Sequence, residues 1–143
     1  MTVEAILKRK GTRVATIGKD ATIAAAAQRL NVDHIGALVV TEGPRVIGII
    51  SERDIIGGLA RNGALALEKR VEDLMTWPII TCTLGQTIKD VMATMTRQRI
   101  RHLPVIDGDA LLGIISIGDV VKHRLEELEM EAGVLHDLMI ARG

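Results

Sequence analysis

The chain has 143 residues, 48% of them apolar, and its 18 basic and 18 acidic side chains balance to a formal net charge of zero. That length suits one compact domain with a substantial core, and a neutral chain presents no global field for nucleic acid phosphates or an anionic membrane surface. A single tryptophan with no Phe or Tyr removes the stacking platforms that bind single-stranded RNA or sugars, and the lone Cys82 rules out an internal disulfide framework and, without Cys or His partners at ligand spacing, a structural zinc site.

The N-terminal segment, residues 1–13, places Lys8, Arg9, Lys10 and Arg13 after a short apolar stretch rather than before a long one. No apolar run nears the roughly 20 residues of a membrane helix, so the expectation is a protein of the reducing cytoplasm. The four basic side chains then solvate the segment, or one of them approaches a phosphate. In residues 14–61, "VATI" reads as a short strand, and Thr22 opens a helix with Ile23, Ala26, Ala27 and Leu30 at helical spacing. "ALVV" and "RVIGII" form a hairpin through "TEGP", and a second helix, "DIIGGLA", begins after Ser51.

The connector 62–78 holds a charged helical stretch, a packing Trp77 and Pro78. Residues 79–125 then repeat the first pattern: strand "IITC", a helix opened by a Thr87–Asp90 capping box with Ile88, Val91, Met92 and Met95, a hairpin of "LPVI" and "ALLGII" through "DGD", and the helix "DVVKHRLEELE". Residues 126–143 form an amphipathic tail, interrupted at Gly133, with Leu128, Val134, Leu135, Leu138 and Met139 on its apolar side. This tail is a docking or dimer helix.

Shifted by 65 residues, 16–60 aligns with 81–125 without a gap, and 12 of those 45 positions are identical, among them Gly48/Gly113, Ile49/Ile114, Ile50/Ile115, Ser51/Ser116 and Asp54/Asp119. The chain is therefore a duplicated β-α-β-β-α unit of α/β (α+β) class. One copy alone buries too little surface, so the two share an interface related by a pseudo-twofold axis, which creates two similar clefts.

The duplicated order, G-h-h-S-x-x-D closing each copy, and "RHLPVID" at 101–107 resemble a pair of CBS (cystathionine-beta-synthase) domains, a Bateman module, over residues 14 to 125. The likeness is to stand-alone two-repeat proteins. It implies a regulatory module that binds an adenosyl ligand (AMP, ADP, ATP, NAD(H) or S-adenosylmethionine) in the clefts between repeats and forms a homodimer. The aspartate of the closing motif takes the ribose hydroxyls, and the serine before it contacts ribose or phosphate. One cleft would use Ser116 and Asp119, with Val14, Ala15, Ile35 and Gly36 around the base. The other would use Ser51 and Asp54, with Ile79, Ile80, Ile100 and Arg101 opposite. Basic residues at this strand start often face phosphates in the family, so Arg101 and His102 mark the Asp119 cleft, and Arg53 compensates at the Asp54 cleft. His102 would raise the affinity for anionic ligands as pH falls through the imidazole range.

An ionised carboxylate can accept from both cis hydroxyls of a ribose, each charge-assisted bond contributing about 1.5–3 kcal/mol. Yet S-x-x-D before an apolar run is also a capping box that binds nothing. His34, His123 and His136 read as surface residues, and Cys82 as buried packing. No phosphate loop, nucleophile elbow or H-E-x-x-H motif is present, so the expectation is a non-enzymatic ligand sensor acting on its own oligomer or on a regulated partner. The alternative is an assembly scaffold with vestigial clefts.

Overall fold

The structure, a computed structural model, describes residues 1–142. The chain divides into two units: residues 13–80 form one, and residues 1–12 with the chain from 81 onward form the other.

In the unit of 13–80, β1 (Thr16–Gly18) runs parallel to β2 (Ala37–Glu42), which pairs antiparallel with β3 (Arg45–Ser51). Between the first two strands lies α2 (Ile23–Asp33), where the Thr22 hydroxyl accepts from the Ala25 amide and Ile23, Ala26 and Leu30 are buried at helical spacing. Gly43, at φ 57°, makes the left-handed turn that the hairpin needs. After α3 (Glu52–Asn62), the connector folds into a 3-10 turn (Gly63–Glu68) and the one-turn helix α4 (Val71–Leu74). Leu38, Val40, Ile50, Ile55 and Val71 join the α2 residues in one core, each such side chain contributing about 1.5–3 kcal/mol by burial.

The second unit repeats the hairpin with β4 (His102–Asp107) and β5 (Ala110–Ser116), between α5 (Ile88–Gln98) and α6 (Ile117–Arg142). The expected strand at "IITC" shrinks to one parallel bridge, Cys82 to Val105. Pro104 explains the difference. Its counterpart Val39 donates its amide to the Ala15 carbonyl at 3.1 Å, a bond that proline cannot make.

Helix α1 (Val3–Lys10) buries Val3, Ile6 and Leu7 in this second core, although in sequence it precedes the first repeat. The connector does the same for the first unit. Val3 donates to Gln86 O, Glu4 to Leu84 O, and Ile88 to Met1 O; Val71 donates to Ala21 O, Glu72 to Lys19 O, and Ile23 to Lys69 O. The two sets are equivalent bond for bond. The repeated glycines Gly48 and Gly113 permit this docking: a Cβ on Gly48 would lie 2.6 Å from Met75 Sδ and 3.1 Å from the Thr76 carbonyl, and one on Gly113 would lie 2.8 Å from a Leu7 methyl. Gly48→Ala should therefore destabilise the fold by about 1–3 kcal/mol in denaturant titrations, and more than Gly113→Ala, which meets only a movable side-chain end. Equal costs at the two glycines would contradict that ranking.

Three expectations are corrected. Trp77 is 67% exposed and does not pack: it lies one residue past Thr76, where the connector's pairing with Ile49 of β3 is made. His123 is only 4% exposed, because it sits three residues after the buried Val120 on the face of α6 that meets the N-terminal segment, its Nδ1 3.2 Å from Met1 Sδ. Gly133 does not interrupt the tail, which continues α6 as one helix of 26 residues.

Candidate functional site

Both closing motifs lie where a strand hands over directly to a helix, β3 to α3 and β5 to α6. In each, the serine takes extended backbone at the N-cap and the aspartate stands in the first turn. The Ser51 amide donates to Asp54 Oδ2 at 2.9 Å and the Asp54 amide to Ser51 Oγ at 3.3 Å; the corresponding bonds of Ser116 and Asp119 are 2.9 and 3.2 Å. Each serine hydroxyl donates to the same carboxylate oxygen, Oδ2. The next helix amide is also engaged, Glu52 with the Gly36 carbonyl and Ile117 with that of Arg101. The capping box is thus formed twice. It spends Oδ2 and leaves Oδ1 outside the cap.

The two carboxylates differ in their remaining partners. Asp54 Oδ1 accepts from the Thr76 hydroxyl at 3.0 Å. Asp119 Oδ2 instead accepts from Lys10 Nζ at 2.6 Å, and the same ammonium donates to the Ile114 carbonyl at 2.8 Å. Lys10 is therefore an ion-pair partner of the motif rather than a solvating side chain. Burial alone would raise the Asp119 pKa, but the Lys10 hydrogen bond and charge, with the Ser116 bonds, outweigh it and hold the carboxyl below its ordinary value of 3.8. Because the folded-state value is depressed, the stabilisation is complete above the ordinary carboxyl range and is lost as pH falls through the lowered value. Asp119 is charged at neutral pH.

Strand register adds a second asymmetry. His102 stands directly across from Ser116, whereas Ala37 stands across from Ser51. Cross-strand partners share a face, so an imidazole neighbours one serine and a methyl group the other. Arg101 is exposed at the entry to β4, and Arg53 is exposed in the first turn of α3, where α6 has Gly118. Of the apolar residues expected around the ligand, Val14, Ala15, Ile35 and Gly36 are half-buried in the unit of 13–80, at the entries to β1 and β2. Ile79 and Ile80 close that same unit, while Ile100 packs against the core of the other. Within single units, then, the structure gathers Ser51, Asp54, Thr76 and Gly36, and separately Ser116, Asp119, Lys10, Arg101 and His102.

Lys10 and Thr76 were not singled out in the sequence, although it carries a signal for them. Val3-Glu4 and Val71-Glu72 start equivalent segments 68 residues apart, a repeat hidden by the 65-residue offset of everything after it. Cys82 is buried, and burial pushes its thiol up to about 11, which suits packing rather than nucleophilic chemistry. Among the described residues no group of three His, Cys, Asp or Glu side chains could hold a metal ion, and no helix is long and apolar enough to cross a membrane.

The sequence profile of the CBS domain matches residues 3–61 and 71–126, its two copies starting at Val3 and Val71. The chain belongs to the CBS domain family. Among similar solved structures, the CBS-domain protein ATU1752 from Agrobacterium tumefaciens has a TM-score of 0.84 and 44% identity, over 86% of this chain and 92% of that one. The CBS domain pair of protein MJ0100, solved in complex with 5'-methylthioadenosine and S-adenosyl-L-methionine, has a TM-score of 0.75 and 25% identity, over 89% of this chain and 98% of that one. A curated relative, the mitochondrial CBS domain-containing protein CBSX3 of Arabidopsis thaliana, is 36% identical over 113 residues, 76% of this chain. The chain spans 55% of that plant protein's length. Like the solved relatives, this chain is a CBS domain pair.

Proposed function

We propose that this CBS domain pair senses an adenosyl metabolite, taking the ribose hydroxyls on Asp54 and Asp119 and passing occupancy to its own assembly or to a regulated protein. The supporting observation is the twin motif itself: two carboxylates fixed by the same cap, each with Oδ1 outside it. The adenosyl compounds bound by MJ0100 support the ligand class. Transmission requires the ligand to bind two states of the protein unequally. The module is regulatory rather than catalytic in this reading, with AMP, ADP, ATP, NAD(H) and S-adenosylmethionine as candidates.

The two sites are not equivalent. Lys10, Arg101 and His102 give the Asp119 site a basic surround suited to a phosphorylated ligand, whereas Asp54 has the neutral Thr76 and Ala37 nearby and the adjacent Arg53 as the cation of its own helix turn. A thermal-shift screen of AMP, ADP, ATP, NAD+, NADH, S-adenosylmethionine and 5'-methylthioadenosine tests the reading. A ligand at 100 times its dissociation constant should add about 2.7 kcal/mol of stability. No shift with any of them would leave the scaffold with vestigial clefts as the better account.

A further inference from the structure

Trp77 is the sole aromatic side chain of the protein, and core packing does not account for it. Tryptophan carries one of the largest apolar surfaces of any residue and is highly buried on average, yet this one is 67% exposed. Its backbone is nonetheless anchored. The amide of the preceding Thr76 donates to the Ile49 carbonyl at 2.8 Å, and the Thr76 carbonyl accepts from the Ile49 amide at 3.1 Å. Pro78 follows, with no amide to carry the pairing further. A broad flat ring is therefore held at the surface immediately beyond a two-bond attachment to β3.

The surroundings of that attachment suggest what the ring meets. Ile49 and Ser51 lie two apart on β3 and share a face of the strand, and Thr76, paired with Ile49, joins them there. The Thr76 hydroxyl accordingly reaches Asp54 Oδ1 at 3.0 Å. Trp77 thus starts one Cα step, about 3.8 Å, from a residue in contact with the carboxylate of the first closing motif. On its far side Pro78, Ile79 and Ile80 continue an apolar strip, with Ile80 36% exposed. A carboxylate able to take paired hydroxyls, next to an exposed apolar strip headed by an indole, matches a nucleoside: the sugar on the acid and the base on the ring. Every base has a π-face, so such stacking needs no hydrogen-bond code. Asp119 has no equivalent, since the chain holds no second aromatic and Lys10 stands at that carboxylate instead.

We infer that Trp77 stacks on the base of the nucleoside whose ribose Asp54 holds, and so sets the affinity of this site for flat heterocycles. The inference rests on the adenosyl reading of Asp54. Because no other aromatic is present, tryptophan emission reports Trp77 alone. Uncharged 5'-methylthioadenosine, titrated into Asp119→Ala protein to isolate the Asp54 site, should quench that emission with the same midpoint as the calorimetric heat. Adding Trp77→Ala should weaken binding roughly 5- to 100-fold, the range of one base stack, with an unchanged circular dichroism spectrum and denaturation midpoint. Trp77→Phe should keep most of the affinity and Trp77→Leu should not, because leucine is apolar but has no π-face. Heat without a change in emission, wild-type affinity in Trp77→Ala, or leucine serving as well as phenylalanine would each overturn the stacking role and leave the adenosyl reading standing. No heat from the wild-type protein with any adenosyl compound would instead overturn that reading, and the stacking role with it.

Discussion

Asp119→Ala should lose adenosyl ligands from its site by more than ~100-fold while the protein still folds. Two charge-assisted bonds from ribose hydroxyls carry roughly 3 kcal/mol or more, which is that factor in affinity. The cost to the empty protein is smaller, because a lost cap takes about 1 kcal/mol. The substitution also frees Lys10 from its 2.6 Å contact, so the unfolding midpoint should fall somewhat further than for a cap alone. Asp119→Asn separates the two roles. Its amide oxygen can still accept the Ser116 amide, which preserves the cap, but a neutral acceptor holds hydroxyls about half as strongly, so affinity should drop nearer tenfold with little change in stability. Calorimetric titration beside chemical denaturation reads both quantities. If Asp119→Ala destabilises the fold yet titrates like wild type, the carboxylate is a cap and nothing more.

Much of this organisation is legible in the residues. Gly48-Ile49-Ile50-Ser51 and its copy at 113–116 are short apolar runs ended by an N-cap, and both hairpins and both junctions follow from them. Thr22 and Thr87 open their helices as expected, the second with its Asp90 capping box. The capping reading of S-x-x-D is present in full, and only coordinates could reveal that it consumes a single carboxylate oxygen. What sequence periodicity misses is long-range. Pro104 looks like one more apolar strand residue, yet its absent N–H deletes the bond that Val39 gives to Ala15. His123 reads as a surface residue until α1 is placed over the start of α6. The exchange of leading segments, α1 to the second core and α4 to the first, rests on Val3 and Val71 entering equivalent pockets at an offset that differs from the rest of the repeat by three residues. That exchange delivers Lys10 to Asp119 and Thr76 to Asp54.

Lys10→Met should therefore change which ligands the Asp119 site prefers. The methionine keeps an unbranched apolar stem and removes a charge that lies 2.6 Å from the carboxylate and 2.8 Å from the Ile114 carbonyl. An ammonium has three N–H groups, and those two bonds use two of them. The third can meet a phosphate on the same nucleoside whose hydroxyls sit on Asp119. At an effective dielectric near 20, a unit charge about 5 Å away contributes on the order of 3 kcal/mol, reduced at the half-exposed surface by solvent and salt. AMP and ATP should accordingly bind about 10- to 100-fold more weakly to the variant, with a shallower salt dependence than to wild type. The uncharged 5'-methylthioadenosine should change less than about threefold, and S-adenosylmethionine, whose sulfonium no longer faces a cation, should gain. Lys10→Arg should retain the preference for phosphorylated ligands. A uniform loss across all of them would make Lys10 a structural brace for Asp119 alone, whereas a loss graded by ligand charge assigns it to recognition.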